Sequence, residues 1–199
     1  MNAKVSRQNY IPMRWFALLL LLFALPAQAQ PRPDQRSDPH KAELNALIGA
    51  LKRADTEEEA GAIEGRIRQI WLQAGSPAAT LLMGRGNRDL SNDAASDALD
   101  DFNAVLALEP NLPDAFHRRA MARFALGDYR GAVADIEETL QREPRDFAAF
   151  ETLSRIAEAQ GDAKGALAAW RKALEISPKT PGGEERLKLL TRKVEGEAT

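Results

Sequence analysis

The chain has no cysteine. Disulfides, thiolate metal sites, a cysteine nucleophile and lipid attachment through an N-terminal cysteine are therefore excluded. Histidine is scarce too: His40 and His117 are the only two, and neither has a partner at metal-ligand spacing. Aromatic residues make up 6% of the chain, and alanine is plentiful, a balance that suits closely packed helices better than a sheet. The main apolar run, Trp15 to Leu25, is eleven residues long, against the roughly twenty needed to span a bilayer. What remains is ordinary globular material, 44% hydrophobic and 28% charged, enough to bury a core.

The N-terminus has the pattern of an export signal. Lys4, Arg7 and Arg14 form a positive stretch without acidic residues, the apolar run follows, and Pro26 breaks it. Ala27-Gln28-Ala29 then supplies small residues at cleavage spacing. Residues 1–29 are expected to be removed, leaving a mature chain that starts at Gln30; a retained anchor or a buried helix are the alternatives. The signal carries 3 of the 27 basic residues and none of the 29 acidic ones, so the mature chain has 24 and 29, net −5. That balance disfavours nonspecific binding to nucleic acid or anionic lipid, and no stable membrane insertion is expected after cleavage. Residues 30–40 hold three prolines and alternating charges and read as an extended linker.

A period of 34 residues organises most of the rest. It relates Pro110, Pro144 and Pro178; Ala98, Ala132 and Ala166; Phe102, Ile136 and Trp170; Leu82, Phe116 and Phe150; and Leu106, Leu140 and Leu174. Each unit reads as two helices. In the second and third units Gly127-Asp128 and Gly161-Asp162 make the turn, glycine supplying the left-handed conformation that ends a helix. The second helix stops ahead of a proline, which disfavours helical backbone in the residue before it. Alanine at the shared position lets the two helices approach, and Phe, Leu, Ile or Trp fill the flanking space. Phe116, Ala132, Phe150, Ala166 and Trp170 are expected in the core.

On these residues the units 79–112, 113–146 and 147–180 resemble tetratricopeptide repeats. Gly86, Ala120 and Ser154 stand eighth in their units, the three alanines twentieth and the three prolines thirty-second. The first unit departs at its turn, where Asn92-Asp93 replaces glycine. The resemblance covers about half the chain and implies an all-α, right-handed α-solenoid with repeats over 76–180, whose concave side holds another protein.

Helices are also expected on both flanks. Leu44, Leu47, Ile48 and Leu51 form one apolar face, and Thr56 with Glu59 makes a capping box for a second helix lined by Ala60, Ile63, Ile67, Ile70, Trp71 and Ala74. This 41–75 hairpin is expected to shield the open face of the first repeat, or else to act as a separate binding module. Residues 181–195 read as a closing helix, with Leu187, Leu190 and Val194 on one side and charges that complement the helix dipole.

Little supports catalysis. Gly84-Arg85-Gly86 resembles a phosphate loop, but it lies in a helix with no preceding strand. Asp97, Asp100 and Asp101 read as solvated or paired carboxylates, since a calcium ion needs loop oxygens and about 6–8 ligands. No cofactor and no metal are expected. Arg85 and Arg119 stand seventh in their units where Asp101 and Asp135 stand twenty-third, and in the third unit both positions become apolar together, Leu153 and Ala169. Two helix-to-helix Arg–Asp pairs are expected; arginines reaching for a ligand are the alternative.

The resemblance also implies a partner-binding groove. Family positions that point inward fall on Met83 and Asn87, on His117, Arg118, Met121 and Phe124, and on Glu151, Arg155 and Glu158. Met and Phe suit apolar contact, and the charges orient a partner; packing between repeats is the other role open to Met121 and Phe124. The expected function is a scaffold or adaptor for a protein or peptide, outside the cytoplasm and, in a Gram-negative cell, in the periplasm. It would serve envelope assembly or maintenance. A structural subunit of a stable complex and a small enzyme are the rivals; the oligomeric state is left open.

Overall fold

The computed structural model describes residues 39–197, which form nine helices and no strand. The expected export signal and all but the end of the expected linker lie outside the described residues. The helices are α1 (Pro39–Leu51), α2 (Glu57–Leu72), α3 (Pro77–Ser91), α4 (Ala95–Leu108), α5 (Pro113–Ala125), α6 (Tyr129–Arg142), α7 (Phe147–Ala159), α8 (Ala163–Ile176) and α9 (Gly183–Glu197). Pro39 and His40 thus belong to α1, so the expected linker is two residues too long at its C-terminal end.

Local chemistry explains the boundaries. Side chains of Thr56, Ser76, Asp128, Asp146 and Asp162 accept hydrogen bonds from the third residue on, each satisfying an orphan amide of the helix it starts. Glu59 returns its bond to the amide of Asp55 rather than Thr56, so the capping box is displaced by one residue. At the turns between paired helices Gly127 and Gly161 have φ of 80° and 77°. Asp93 occupies the equivalent place in the first repeat with φ of 60°, so the turn survives without glycine, at the cost of a strained backbone.

Helices α3–α4, α5–α6 and α7–α8 are the three repeats. A Cβ at Gly86 would come within 2.8 Å of the Phe102 ring, which is why the eighth position of that unit has no side chain. In the third unit Ser154 fills that position and donates to the carbonyl of Ala166 at 2.8 Å. Ala98, Ala132 and Ala166 are fully buried, as are Phe102 and Ile136, and Trp170 nearly so. Phe116 and Phe150 are only half-buried. Phe116 sits at the edge of its core, where the guanidiniums of Arg142 and Arg119 lie 4.6 and 5.5 Å from its ring centre.

Both Arg–Asp pairs form. Arg85 bonds both carboxylate oxygens of Asp101, one at 2.6 Å, and Arg119 bonds those of Asp135 at 2.9 and 2.7 Å. Arg119 also reaches Asn103 of the preceding repeat at 3.1 Å, and Arg123 adds a second cation to Asp135 at 2.9 Å. Helix α9 closes the array as expected: Leu190 is buried against Ala157, Ala166, Leu167 and Trp170, and the Trp170 indole donates to the carbonyl of Gly183.

The hairpin is the main departure. It was expected to cap the first repeat; α2 touches that repeat's core through Leu72, but the main apolar face of α1 and α2 packs across the array onto the third. Leu44, Ile48, Leu51, Ala60, Ile67 and Trp71 share one apolar core with Phe147, Ala148 and Ile176. The rings of Trp71 and Phe147 are 5.6 Å apart, and Ser177 donates to Glu64 at 2.7 Å. The reason is composition: the start of α7 offers the large apolar Phe147 and the small Ala148, which make a socket for the Trp71 ridge.

Candidate partner-binding groove

The first helices of the repeats, α3, α5 and α7, line the inner face in register. Helix α2 packs against the start of α7 and borders the pocket beside it, and the nine expected groove residues differ sharply in exposure. Met83 is fully buried in the core of the first repeat, and His117 is 3% exposed. Neither lines an open groove: Met83 packs in the first repeat's own core beside Phe102 and Val105, and His117 is enclosed against Thr152 and Asp146, on the third repeat's side, with Arg68 of α2 close enough to act on its charge. Asn87 is half-buried, its side-chain oxygen buried without a partner. Arg118 is mostly covered, 3.4 Å from Asp114, with Met121 sulfur 4.0 Å from its guanidinium.

Around His117 the polar groups have unusual acidities. Burial pushes His117 down to about 3, assisted by the positive charges of Arg118 and Arg68. Burial raises Asp146 to about 7, although its carboxylate accepts from the amide of Ala149. His117 hydrogen-bonds the Thr152 hydroxyl at 2.9 Å, and its other ring nitrogen is 3.8 Å from Asp146. These are framework groups shielded from solvent.

The C-terminal half of the inner face is open. Phe124, Glu151, Arg155 and Glu158 line one pocket of about 750 Å³, together with Glu64 and Arg68 of α2, Trp170 of α8, and Arg186 of α9. Phe124 has a packing role: its ring packs on Tyr129 at 5.8 Å and carries the Arg155 guanidinium at 5.4 Å, while its edge lines the pocket. Most of the lining charges are already engaged. Arg68 holds Glu64 at 3.0 Å and Glu151 at 3.9 Å, and Glu158 is clamped by Arg186 at 2.7 Å and by Lys193. Glu158, expected to face a partner, is therefore chiefly an anchor for α9, and the bonds from Lys193 and Arg186 lower its pKa. Burial raises that of Glu151 despite Arg68. Arg155 is exposed, lies over the Phe124 ring and acts on Glu151 by charge alone, with no ion pair to it within 4 Å among the described residues.

Glu64, Arg68 and Arg186 escaped the reading of the sequence. They lie outside the repeats, where no period assigns a direction, and the buried Glu64 stands on an otherwise apolar ridge.

With this geometry in view, the likeness to known proteins is informative. Residues 117–181 match the family model described as tetratricopeptide repeat. A tetratricopeptide repeat-containing protein of Rhizobium etli is 34% identical over 142 residues, an alignment covering 64% of this chain and 70% of that one. The chain belongs to the tetratricopeptide-repeat family. Among solved structures, the tetratricopeptide domain of Sgt2 from Aspergillus fumigatus is 26% identical, with a TM-score of 0.58 over 62% of this chain and 83% of its own. The first such domain of Spaghetti (RPAP3), solved with the HSP90 peptide SRMEEVD, is 19% identical, with a TM-score of 0.56 over 60% and 95%. These repeat folds align with part of the chain, and the packing of α2 on the third repeat is read from this structure alone.

Proposed function

We propose that this tetratricopeptide-repeat protein is an exported scaffold that holds a segment of another protein in the open part of its inner groove. The observation that carries the reading is the pocket at Phe124 and Arg155: an aromatic floor, an exposed cation over it and walls from three different elements. Such a site offers apolar contact and orientation together. The peptide-bound RPAP3 domain, alike in fold, is a precedent for a segment held by repeats of this kind. The pattern of residues 1–29 supports a periplasmic location, and with it a role in envelope assembly or maintenance.

Affinity capture from periplasmic extract, with wild type beside Phe124→Ala and Arg155→Ala, tests the proposal. A partner retained by wild type should be lost from both variants while circular dichroism stays unchanged. Equal recovery by all three proteins rejects the pocket. Intact mass of the exported protein tests the location: a chain beginning at Gln30 is expected, and one retaining Met1 rejects it.

A second reading draws on Leu81 and Leu108, which are 71% and 57% exposed on the first repeat. Apolar surface of that kind suits a subunit fixed in a larger complex. Size-exclusion of envelope extract would then show the protein only in a high-mass species.

A further inference from the structure

Each repeat after the first packs on the one before it, and the register shows which residues do so. In the second unit Ala115 and Ala122 of α5 are fully buried in the core of the first repeat. In the third, Ala149 and Ile156 of α7 are fully buried in the core of the second. Arg119, between Ala115 and Ala122 on α5, reaches back to Asn103 of the first repeat at 3.1 Å. One period earlier the same stripe falls on Leu81, Arg85 and Arg88 of α3. Leu81 is 71% exposed, and both arginines are exposed as well. Helix α2 precedes α3 in the chain but carries its apolar face to the third repeat, so this stripe stays bare.

Helix α4 adds a second stripe on the same side. In the second unit Arg142 lies 4.6 Å over the ring of Phe116, a residue packed on the first repeat's core. The end of the second helix therefore sits on the side of its unit that faces backward. In the first unit that position is Leu108, 57% exposed. Toward the start of α4, Ala104, Asp100 and Asp97 follow it turn by turn, all exposed. Along the chain the stripe of α3 thus runs from apolar to basic, and that of α4 from acidic to apolar. Inside the array a leading helix lies antiparallel to the second helix of the preceding unit, joined to it by a short loop, as α5 is to α4. Laid in the same sense on α4 of another copy, α3 sets Leu81 against Leu108 and Arg88 against Asp100 and Asp97. A two-fold axis along the helices makes that contact twice.

We propose that the bare face of α3 and α4 is a symmetric interface with a second copy of this chain. The far end of the array is closed: Leu190 of α9 is buried against α8, and Lys188, Arg192 and Glu195 coat the outer side. An open end can therefore meet only another open end, which gives a dimer and no filament. Residues 30–38 hold no Leu, Ile, Val, Met or aromatic residue to match Leu81 and Leu108. Helices of 15 and 14 residues side by side offer a face of roughly 20 by 20 Å, small for a specific interface, so the dimer belongs in the micromolar range. None of the residues lining the pocket at Phe124 belongs to α3 or α4, so each copy keeps its own and the dimer is bivalent. The proposal rests on reading Leu81 and Leu108 as subunit surface, and it names the other subunit.

Sedimentation velocity of the purified protein between about 1 and 100 µM is the test. Wild type should pass from monomer to dimer and no further. Leu81→Asp, where the side chain is mostly in solvent, should weaken association at least tenfold with an unchanged circular dichroism spectrum. Arg88→Asp and Asp100→Arg should each weaken it, because every contact then brings like charges together. Mixed in equal amounts, those two variants should recover wild-type association, since opposite charges then meet at both contacts. The proposal is overturned by a protein that stays monomeric at the highest concentration, by growth beyond a dimer, by a dimer indifferent to Leu81→Asp, or by a mixture as weak as its parts. If the purified protein is monomeric while Leu81→Asp still releases it from a high-mass species in envelope extract, the covering partner is another protein. The subunit reading then stands and self-association falls.

Discussion

The first and third repeats follow one sequence pattern but are held by different means. The first is fastened at its edge: Arg85 reaches Asp101 from a side chain that is 59% exposed, Asp93 strains the turn, and Leu81 lies open to solvent. The third is enclosed, with α1–α2 on one side and α9 on the other, and its Arg–Asp pair is replaced by Leu153 and Ala169. Where neighbours cover a repeat, apolar packing serves without a desolvated charge; where they do not, an ion pair at the rim can keep part of its hydration. The second repeat falls between, with Asp135 2% exposed and two arginines on it.

The largest test of this contrast is Trp170→Ala. The ring is 6% exposed and joins α8 to α9, so its loss should lower stability by about 3–5 kcal/mol. A urea midpoint no different from that of a surface control would show that the third repeat is not the better-packed one.

Next comes pH, which probes the buried surface where the second and third repeats meet. His117, lowered to about 3, favours folding in its neutral form, and that contribution is lost as pH falls from 6.5 toward 3. Asp146, raised to about 7, favours folding in its protonated form, and that contribution is lost as pH rises from 3.8 toward 7. The two slopes oppose each other between pH 4 and 6.5, so wild-type stability should vary little there on their account. Asp146→Asn should leave stability rising with pH by about 2–3 kcal/mol across that window, and His117→Gln should leave it falling by a similar amount. Parallel profiles in both variants would mean that solvent reaches these groups.

Of intermediate size is the loss of an acidic partner. Asp135→Ala removes the carboxylate that Arg119 and Arg123 share and should cost about 2 kcal/mol, less than for a wholly buried pair because both arginines reach water and keep other partners in Asn103 and Asp128. Asp101→Ala, with one exposed arginine, should cost less in the same urea titration. The reverse order would break the gradient from edge to interior. Smallest is Asp93→Gly, which relieves the left-handed aspartate and should stabilise the protein by about 1 kcal/mol. The opposite change, Gly127→Ala, adds a side chain at a left-handed residue and should destabilise it.

Much of this architecture was legible in the amino-acid order. Ala132, Ala166 and Trp170 are core residues as the period implies, and the joint loss of Arg and Asp in the third unit pointed to both ion pairs before any coordinates. Phe116 and Phe150 were harder, because a period reports that a residue is repeated and not how far its edge reaches solvent. The groove divided along one line. Phe124, Glu151 and Arg155 line the open pocket, whereas Met83 is drawn into the first repeat's core and His117 is enclosed against Thr152 and Asp146.

By itself, then, the sequence determined the helix pairs, their turns, the close contacts between them and the closing helix. Each depends on residues within one repeat or its neighbour, and 34-residue repetition states the same contact three times. Only the tertiary structure decided where the N-terminal hairpin rests and which half of the inner face stays open. Glu64 and Ser177 are 113 residues apart, and their contact occurs once. Apolar spacing along α2 shows that one side of it must be buried, but any apolar surface of the right shape satisfies that demand. Phe147 and Ala148 of the third repeat provide it.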